Sequence, residues 1–404
     1  MENTKFFSEL LKLGEDWQIK NIVRDEANLQ ITIEVGYSKV AYSYDGNVCK
    51  LYDLAPKRRW QHLGIMQYRT YIECATPRFV DVNGKVKTVP VPWAESHDSY
   101  TYLFALYVIN VLQAVRVQSK TALLCKTTDT IVRSIMEQAV EYGLTSRGHV
   151  TDLKHISIDE KAFKQGHQYA TILMDGEQDR VLEMTEGRKQ EQAEMILYQV
   201  TGKEVNETIE TVTLDMWKPF MNAMEKSAPN AVQIHDKFHI FQYLSKSIDR
   251  TRKAEIKHHE VLKGMKYTVL KNRNSMTEKQ QLDFEAINAI NLKTALAWKV
   301  RENFKLLYEA TTYEAIIKAF AEWFHNAAST CIPQVIDTLK TFRNNLDGII
   351  NSFLYKRSNA KHERMNGSIQ TLINTSRGFR NFERFRINAL FHYGKLTLFP
   401  LKFS

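Results

Sequence analysis

Three aspartates close apolar stretches of this chain: Asp159 ends HISID (155–159), Asp215 ends IETVTLD (209–215) and Asp236 ends AVQIHD (231–236). Strand ends are where ligands collect in open α/β sheets. Carboxylates paired there suit hard cations such as magnesium, which prefer oxygen ligands. A further acid, Glu363, follows after a long gap, inside the stretch SNAKHERMNGSIQ. Three carboxylates can position two metal ions about 4 Å apart, one activating an attacking water or hydroxyl and the other stabilising the leaving oxygen. That chemistry serves phosphodiester hydrolysis and transesterification alike. Position alone does not choose among the three aspartates, since acids at strand ends also cap helices or face solvent. IHDKFH sets His235 and His239 four apart, a spacing that zinc accepts. Without further ligands in view, that pair reads as structural.

Basic residues surround the glutamate. Lys361, Arg364, Arg377, Arg380, Arg384 and Arg386 lie within one stretch. Beside a carboxylate site they would receive a phosphate backbone, and the competing reading is an exposed basic helix face. A second basic stretch runs from Pro56 to Arg78, where Arg58, Arg59, Trp60, Tyr68, Arg69 and Tyr71 interleave charge with aromatic rings. Such a mixture can grip phosphates and stack on bases, or it can be a strand face whose aromatics belong to a core.

The elements that must carry these residues are legible in outline. Residues 1–95 read as β-rich, with LQITIEV (29–35) and YRTYIEC (68–74) as strands and Gly and Asn at the turns. VPVPWAES (89–96) reads as a linker because two prolines block regular structure. Within 96–150, SKTALLC is a short helix, KTT a turn, and DTIVRSIMEQAVEYG a longer amphipathic helix. That outline fits a helix-turn-helix, whose second helix would offer Thr128, Thr130 and Arg133 to a major groove; any pair of packed helices has the same outline. From 151 to 240 the order is β-β-β-α-β-α-β-α, a mixed sheet covered by helices. Residues 241–350 read as almost wholly helical. The last part, 351–404, carries Glu363 on a helix that Ser358 or Asn359 can cap and Gly378 can end.

The 404 residues carry a net charge of +9, with a pI of about 9.1. A basic balance favours a polyanionic partner through counterion release. No run of roughly 18 apolar residues is present, so no membrane span is expected. The start, MENTKFFSELLKLGEDW, lacks the features of a signal peptide, and the expected location is cytoplasmic, at the nucleoid. The four cysteines, Cys49, Cys74, Cys125 and Cys331, form no C-x-x-C pair and fit neither a disulfide framework nor a zinc site.

In these motifs the chain resembles the DDE transposases of bacterial insertion sequences, specifically the insertion-sequence L-three group. The matching segments are RRWQHLG (58–64), VPVPWAE (89–95), HISIDEKAFKQGHQYATILMD (155–175), TLDMWKPFMNA (213–223), NAVQIHDKFHI (230–240), VLKGMKYTVLKN (261–272), NLKTALAWK (291–299) and SNAKHERMNGSIQ with RGFRNFERFR (358–386). They span most of the chain in the right order. The resemblance implies that Asp159, Asp215 and Glu363 are the catalytic acids and hold two divalent metal ions, magnesium or in its place manganese. It leaves Asp236 outside the catalytic set. It implies a ribonuclease H-like catalytic core interrupted by a large helical insertion before the glutamate. The expected class is therefore a multi-domain α/β protein, with the β-rich domain and the helix-turn-helix ahead of that core.

The resemblance also implies double-stranded DNA as partner, both element ends and target, bound by a homodimer or higher oligomer. Family members commonly carry a cysteine-rich zinc module near the N-terminus. Here YSKVAYSYDGNVCKLYDL holds only Cys49, so no zinc is expected and packing should hold that domain. Two other readings share these residues: a metal-dependent nuclease that cuts without joining, and an inactive DNA-binding regulator descended from a transposase.

Overall fold

The structure, a computed structural model, describes residues 7–9, 11–164, 168–376 and 378–399. Two compact units form: one from the residues up to Arg147 together with those from Leu396 onward, the other from Gly148–Lys395.

The first unit is built on eight strands, β1 (Trp17–Asp25), β2 (Gln30–Tyr37), β3 (Ala41–Tyr44), β4 (Asn47–Leu54), β5 (Arg58–Ile65), β6 (Tyr68–Cys74), β7 (Pro77–Val80) and β8 (Val86–Thr88). They make two four-stranded sheets, β1-β2-β6-β5 and β3-β4-β7-β8. Alternation writes β2 directly: Ile31, Ile33 and Val35 are buried and the residues between them are not. The core is aromatic. Trp93 meets Trp17 at 5.1 Å and Trp60 at 5.7 Å, both edge to face. Three helices follow, α1 (Tyr102–Val115), α2 (Gln118–Leu124) and α3 (Asp129–Arg147). Thr101 caps α1 by accepting the Phe104 amide at 3.2 Å. Between α2 and α3, Lys126 takes a left-handed backbone, φ 52°, which turns the chain within a few residues.

The second unit centres on a five-stranded sheet of β9 (His155–Lys164), β10 (Gln168–Asp175), β11 (Arg180–Glu186), β12 (Thr211–Leu214) and β13 (Val232–His235), in the order β11-β10-β9-β12-β13. The first three strands form antiparallel hairpins, and β12 runs parallel to both neighbours. Both faces are covered, which explains why β10 and β11 are buried almost from end to end. Helices α4 (Gln190–Thr201) and α5 (Lys218–Ser227) pack Ile196, Leu197, Phe220 and Met224 into the core around Ile158, Leu173 and Leu214.

The long segment after β13 is helical: α6 (Lys237–Glu255), α7 (Lys266–Leu270), α8 (Glu278–Ala289), α9 (Lys293–Leu306), α10 (Tyr313–Ser329), α11 (Pro333–Asn344) and α12 (Leu346–Leu354). Its core gathers on Phe304, which meets Trp323 at 4.8 Å, Phe353 at 5.6 Å and Phe342 at 5.7 Å. The segment is tied back to the sheet edge. Asn351 Nδ2 donates to the Gln233 carbonyl at 2.9 Å. Gly348 passes so close to His235 that a Cβ there would stand 2.5 Å from the ring, which is why this helix carries a glycine.

Helix α13 (Lys356–Thr375) then packs against β9 and β12, and α14 (Phe382–Tyr393) lies on β11. Ser358 and Asn359 do not cap α13: the helix begins at Lys356 after Tyr355, so both lie within its first turn. Gly378 does help close its far end, with φ 85° and its amide on the Ile373 carbonyl at 3.0 Å.

Candidate active site

Strand register brings the acids together. In the β9–β12 pair Thr211 faces His155 and Thr213 faces Ser157. The same offset sets Asp215, one residue beyond β12, level with Asp159. In the β12–β13 pair Leu214 faces His235, so Asp215 is equally level with Asp236, whose amide donates to the Leu214 carbonyl at 3.0 Å. Asp159 does not end its strand as the HISID pattern suggests. It sits inside β9, opposite Ile172 of β10, because the second hairpin partner carries β9 on to Lys164 after β12 has ended. The fork between β9 and β12 opens at Asp159.

One imidazole occupies that fork. His239 Nε2 lies 3.5 Å from Oδ1 of Asp159 and 3.8 Å from Oδ2 of Asp236, and its Nδ1 lies 3.3 Å from Oδ2 of Asp215. Asp236 is fully buried and caps α6, accepting the Phe238 amide at 3.1 Å. One helical turn later, His239 points back over the same strand ends. Reading the His235–His239 pair as purely structural therefore holds for His235 alone. The signal in the sequence was the D-x-x-H spacing at a strand-to-helix junction, which puts an acid and a histidine on one face.

Charge governs the protonation of these groups. Burial pulls the His239 ring down, and the carboxylates of Asp159, Asp215 and Asp236 outweigh it, so its pKa is raised. The Asp215 carboxyl is also raised, chiefly by burial and further by Asp159 and Asp236, against the opposing pull of His239 and the Met216 amide. Lys161 reaches Oδ2 of Asp159 at 3.0 Å, so two cationic side chains meet the most buried acid of the pair. Glu160, next in sequence, is raised by burial, and the charges of Asp159 and Asp215 add to that. Its oxygen holds Arg188 at 3.1 Å.

Glu363 lies on the exposed side of α13, the helix that packs on the two aspartate-bearing strands. Its charge and that of Asp236 both act on the half-buried Tyr308 hydroxyl, whose pKa is raised mainly by burial. The carboxylates offer oxygen donors of the kind a hard cation takes. With His239 between them they do not stand as a finished cage, and among the described residues no three His, Cys, Asp or Glu side chains have metal-holding geometry. Donor chemistry fits a divalent ion, provided the imidazole gives way.

The expected DNA contacts fall in different settings. Arg58 is turned inward, donating to the carbonyls of Ser96 and Asp98 with its guanidinium over Trp60. Arg59 bonds Thr32 and lies 3.9 Å over Tyr71. Thr128 accepts the Ile131 amide at 3.3 Å as a helix cap, Thr130 is exposed, and Arg133 approaches Glu137 at 3.8 Å. Arg364 is exposed and pairs with Asp179 at 2.6 Å, and Arg380 is exposed. Arg377 lies outside the described residues, and so does the side chain of Lys361. No helix among the described residues is long and apolar enough to cross a membrane.

Known proteins converge on one group. The sequence profile of the ISL3 transposases matches residues 156–389, more than half of the chain. The transposase for insertion sequence element IS1001 of Bordetella parapertussis is 21% identical over 360 residues, covering 86% of this chain and 87% of its own length. The transposase for insertion sequence element IS1557 of Mycobacterium tuberculosis is 22% identical over 356 residues, covering 80% and 79%. The profile runs through both aspartate-bearing strands, the helical segment and the glutamate-bearing helix, and the chain belongs to the ISL3 family of DDE transposases.

Proposed function

We propose that the chain is an active transposase that binds the ends of its own insertion sequence, cuts the DNA there and joins those ends to a target. The observation that carries this reading is the shared register of Asp159 and Asp215 on neighbouring parallel strands, with the Glu363 helix packed against both. The sheet and its helices then correspond to a ribonuclease H-like core, and α2 with α3 to a helix-turn-helix.

In this reading Asp159, Asp215 and Glu363 hold two divalent ions, magnesium or manganese. Bound there, such ions supply activation of the attacking hydroxyl and stabilisation of the leaving oxygen. His239 balances the crowded carboxylates while the site is at rest, and its displacement leaves their oxygens free to coordinate. Lys161 does the same for Asp159. Arg364 on α13 and Arg380 in the connection to α14 receive phosphates, and Thr130 and Arg133 face the DNA from α3. Cutting two ends in concert calls for at least a dimer on DNA, at work in the cytoplasm.

The test uses labelled duplexes carrying the element's own two ends, with magnesium or manganese, and compares the wild-type chain with Asp159→Ala. Metal-dependent cleavage with joined products, absent from the variant, is the expected result. Cleavage without joining would make the chain a nuclease. Binding without cleavage by the wild type would make it an inactive regulator.

A further inference from the structure

A cavity of about 500 Å³ opens beside the acids, lined among others by Tyr169, Arg188, Lys189, Trp217, Lys218 and Asn222. That volume lies within the range of small-ligand pockets, roughly 300–1,000 Å³. Two covalent and ionic links join it to the active site. Trp217 stands two residues beyond Asp215. Arg188 holds Glu160, which follows Asp159 and feels the charges of both catalytic aspartates.

The lining is a recognition surface with a stacking platform. The Arg188 guanidinium lies 4.2 Å from the Tyr169 ring centre and 5.2 Å from that of Trp217. Trp217 Nε1 donates to the Arg188 carbonyl at 3.2 Å, which fixes the indole while 40% of the residue stays exposed. A tryptophan held in place yet open to solvent contributes little to a core. Trp217 is the cap residue of α5; Pro219 in the first turn has no N–H and the Phe220 amide donates to the Trp217 carbonyl at 3.0 Å, so the cations of the lining are the side chains of Arg188, Lys189 and Lys218. An aromatic face with lysine and arginine side chains beside it matches the parts of one nucleotide, base and phosphate.

We infer that this cavity receives a single nucleotide, unstacked from the duplex next to the scissile phosphate, with its base on Trp217. Extrusion costs base-pairing and stacking energy, and a fixed aromatic partner offsets it. Holding that nucleotide aside lets the neighbouring phosphate reach the fork between Asp159 and Asp215. The inference rests on the DNA-cutting reading of that fork.

The experiment measures cleavage rates on duplexes carrying the element ends, intact or with a single abasic position scanned through the three nucleotides on each side of the cut. Wild type is compared with Trp217→Ala and Trp217→Phe. Trp217→Ala is expected to slow cleavage of the intact duplex by about tenfold or more, the worth of one base–aromatic stack. Trp217→Phe should keep most of the rate. At one abasic position the difference between Trp217→Ala and wild type should vanish, because no base remains to be held. An unchanged rate in Trp217→Ala, or the same loss at every abasic position, overturns the pocket while leaving the cutting site standing. No cleavage by the wild type on any duplex overturns the cutting site itself.

Discussion

Nδ1 of His239 lies 3.3 Å from Oδ2 of Asp215, although the two side chains belong to different elements separated by a helix and a strand. The contact exists because β13 runs parallel to β12, so the loop after each strand emerges on the same edge of the sheet. The crossover helix carries the chain back to the level where β12 began, so β13 ends at the same edge as β12 and that edge becomes a site.

Asp159→Asn and Asp215→Asn keep the shape of these side chains and remove their charge. Both should leave the chain folded and lower metal-dependent cleavage by about three orders of magnitude or more, the equivalent of several kcal/mol of lost transition-state stabilisation. Cleavage rates beside far-ultraviolet circular dichroism check this. Near wild-type rates in both variants would remove these residues from the reaction.

His239→Ala should lower the melting temperature of the metal-free protein, since Asp159, Asp215 and Asp236 then face one another without their shared cation. Magnesium should raise the melting temperature of this variant more than that of wild type, because the ion no longer competes with the imidazole. Thermal melts with and without magnesium decide it, and equal shifts in both proteins would mean the ion and the ring do not share a place.

By sequence Arg386 falls among the arginines expected to meet DNA, and the structure gives it another task. It clasps both oxygens of Glu183 on β11 at 2.7 Å, across a separation of 203 residues. Breaking a pair this enclosed strands the remaining charge. Arg386→Met should cost about 3 kcal/mol of stability, measured by urea unfolding, and should change DNA affinity less than Arg380→Met does.

His62 and His235 are both buried, and burial lowers each pKa to about 4 from the usual 6.5. Each therefore stays neutral in the fold at pH values where the unfolded chain takes up a proton. Stability is full above pH 6.5 and falls as the pH drops toward 4, by on the order of 3 kcal/mol for each residue. Unfolding free energies of wild type and His62→Gln across that window test the claim. The variant's curve should be flatter, and parallel curves would remove His62 as a source of the slope.

The segments that carry the aspartates are legible in the sequence because their signals are local. HISID, TVTLD and AVQIHD are apolar runs stopped by an acid, and strand periodicity is written in neighbouring residues. The mixed order of strands and helices follows from the same local patterns. The apolar pattern of the strand carrying Asp159 stops short of its true end, because its continuation to Lys164 is held by pairing with β10. Arg58 and Arg386 looked like free surface cations because their partners, the Ser96 and Asp98 carbonyls and Glu183, are remote in sequence.

The sequence by itself determined which residue types were present, the order of strands and helices in outline, and the family resemblance carried by its motifs. Tertiary structure alone decided that Asp159, Asp215 and Asp236 share one level across three strands, that His239 stands among them, and that Trp217 and Arg188 open a cavity at their side. The reason is physical: hydrophobic periodicity is a property of consecutive residues, whereas register and the meeting of distant charges depend on how separate strands pair and which helices cover them.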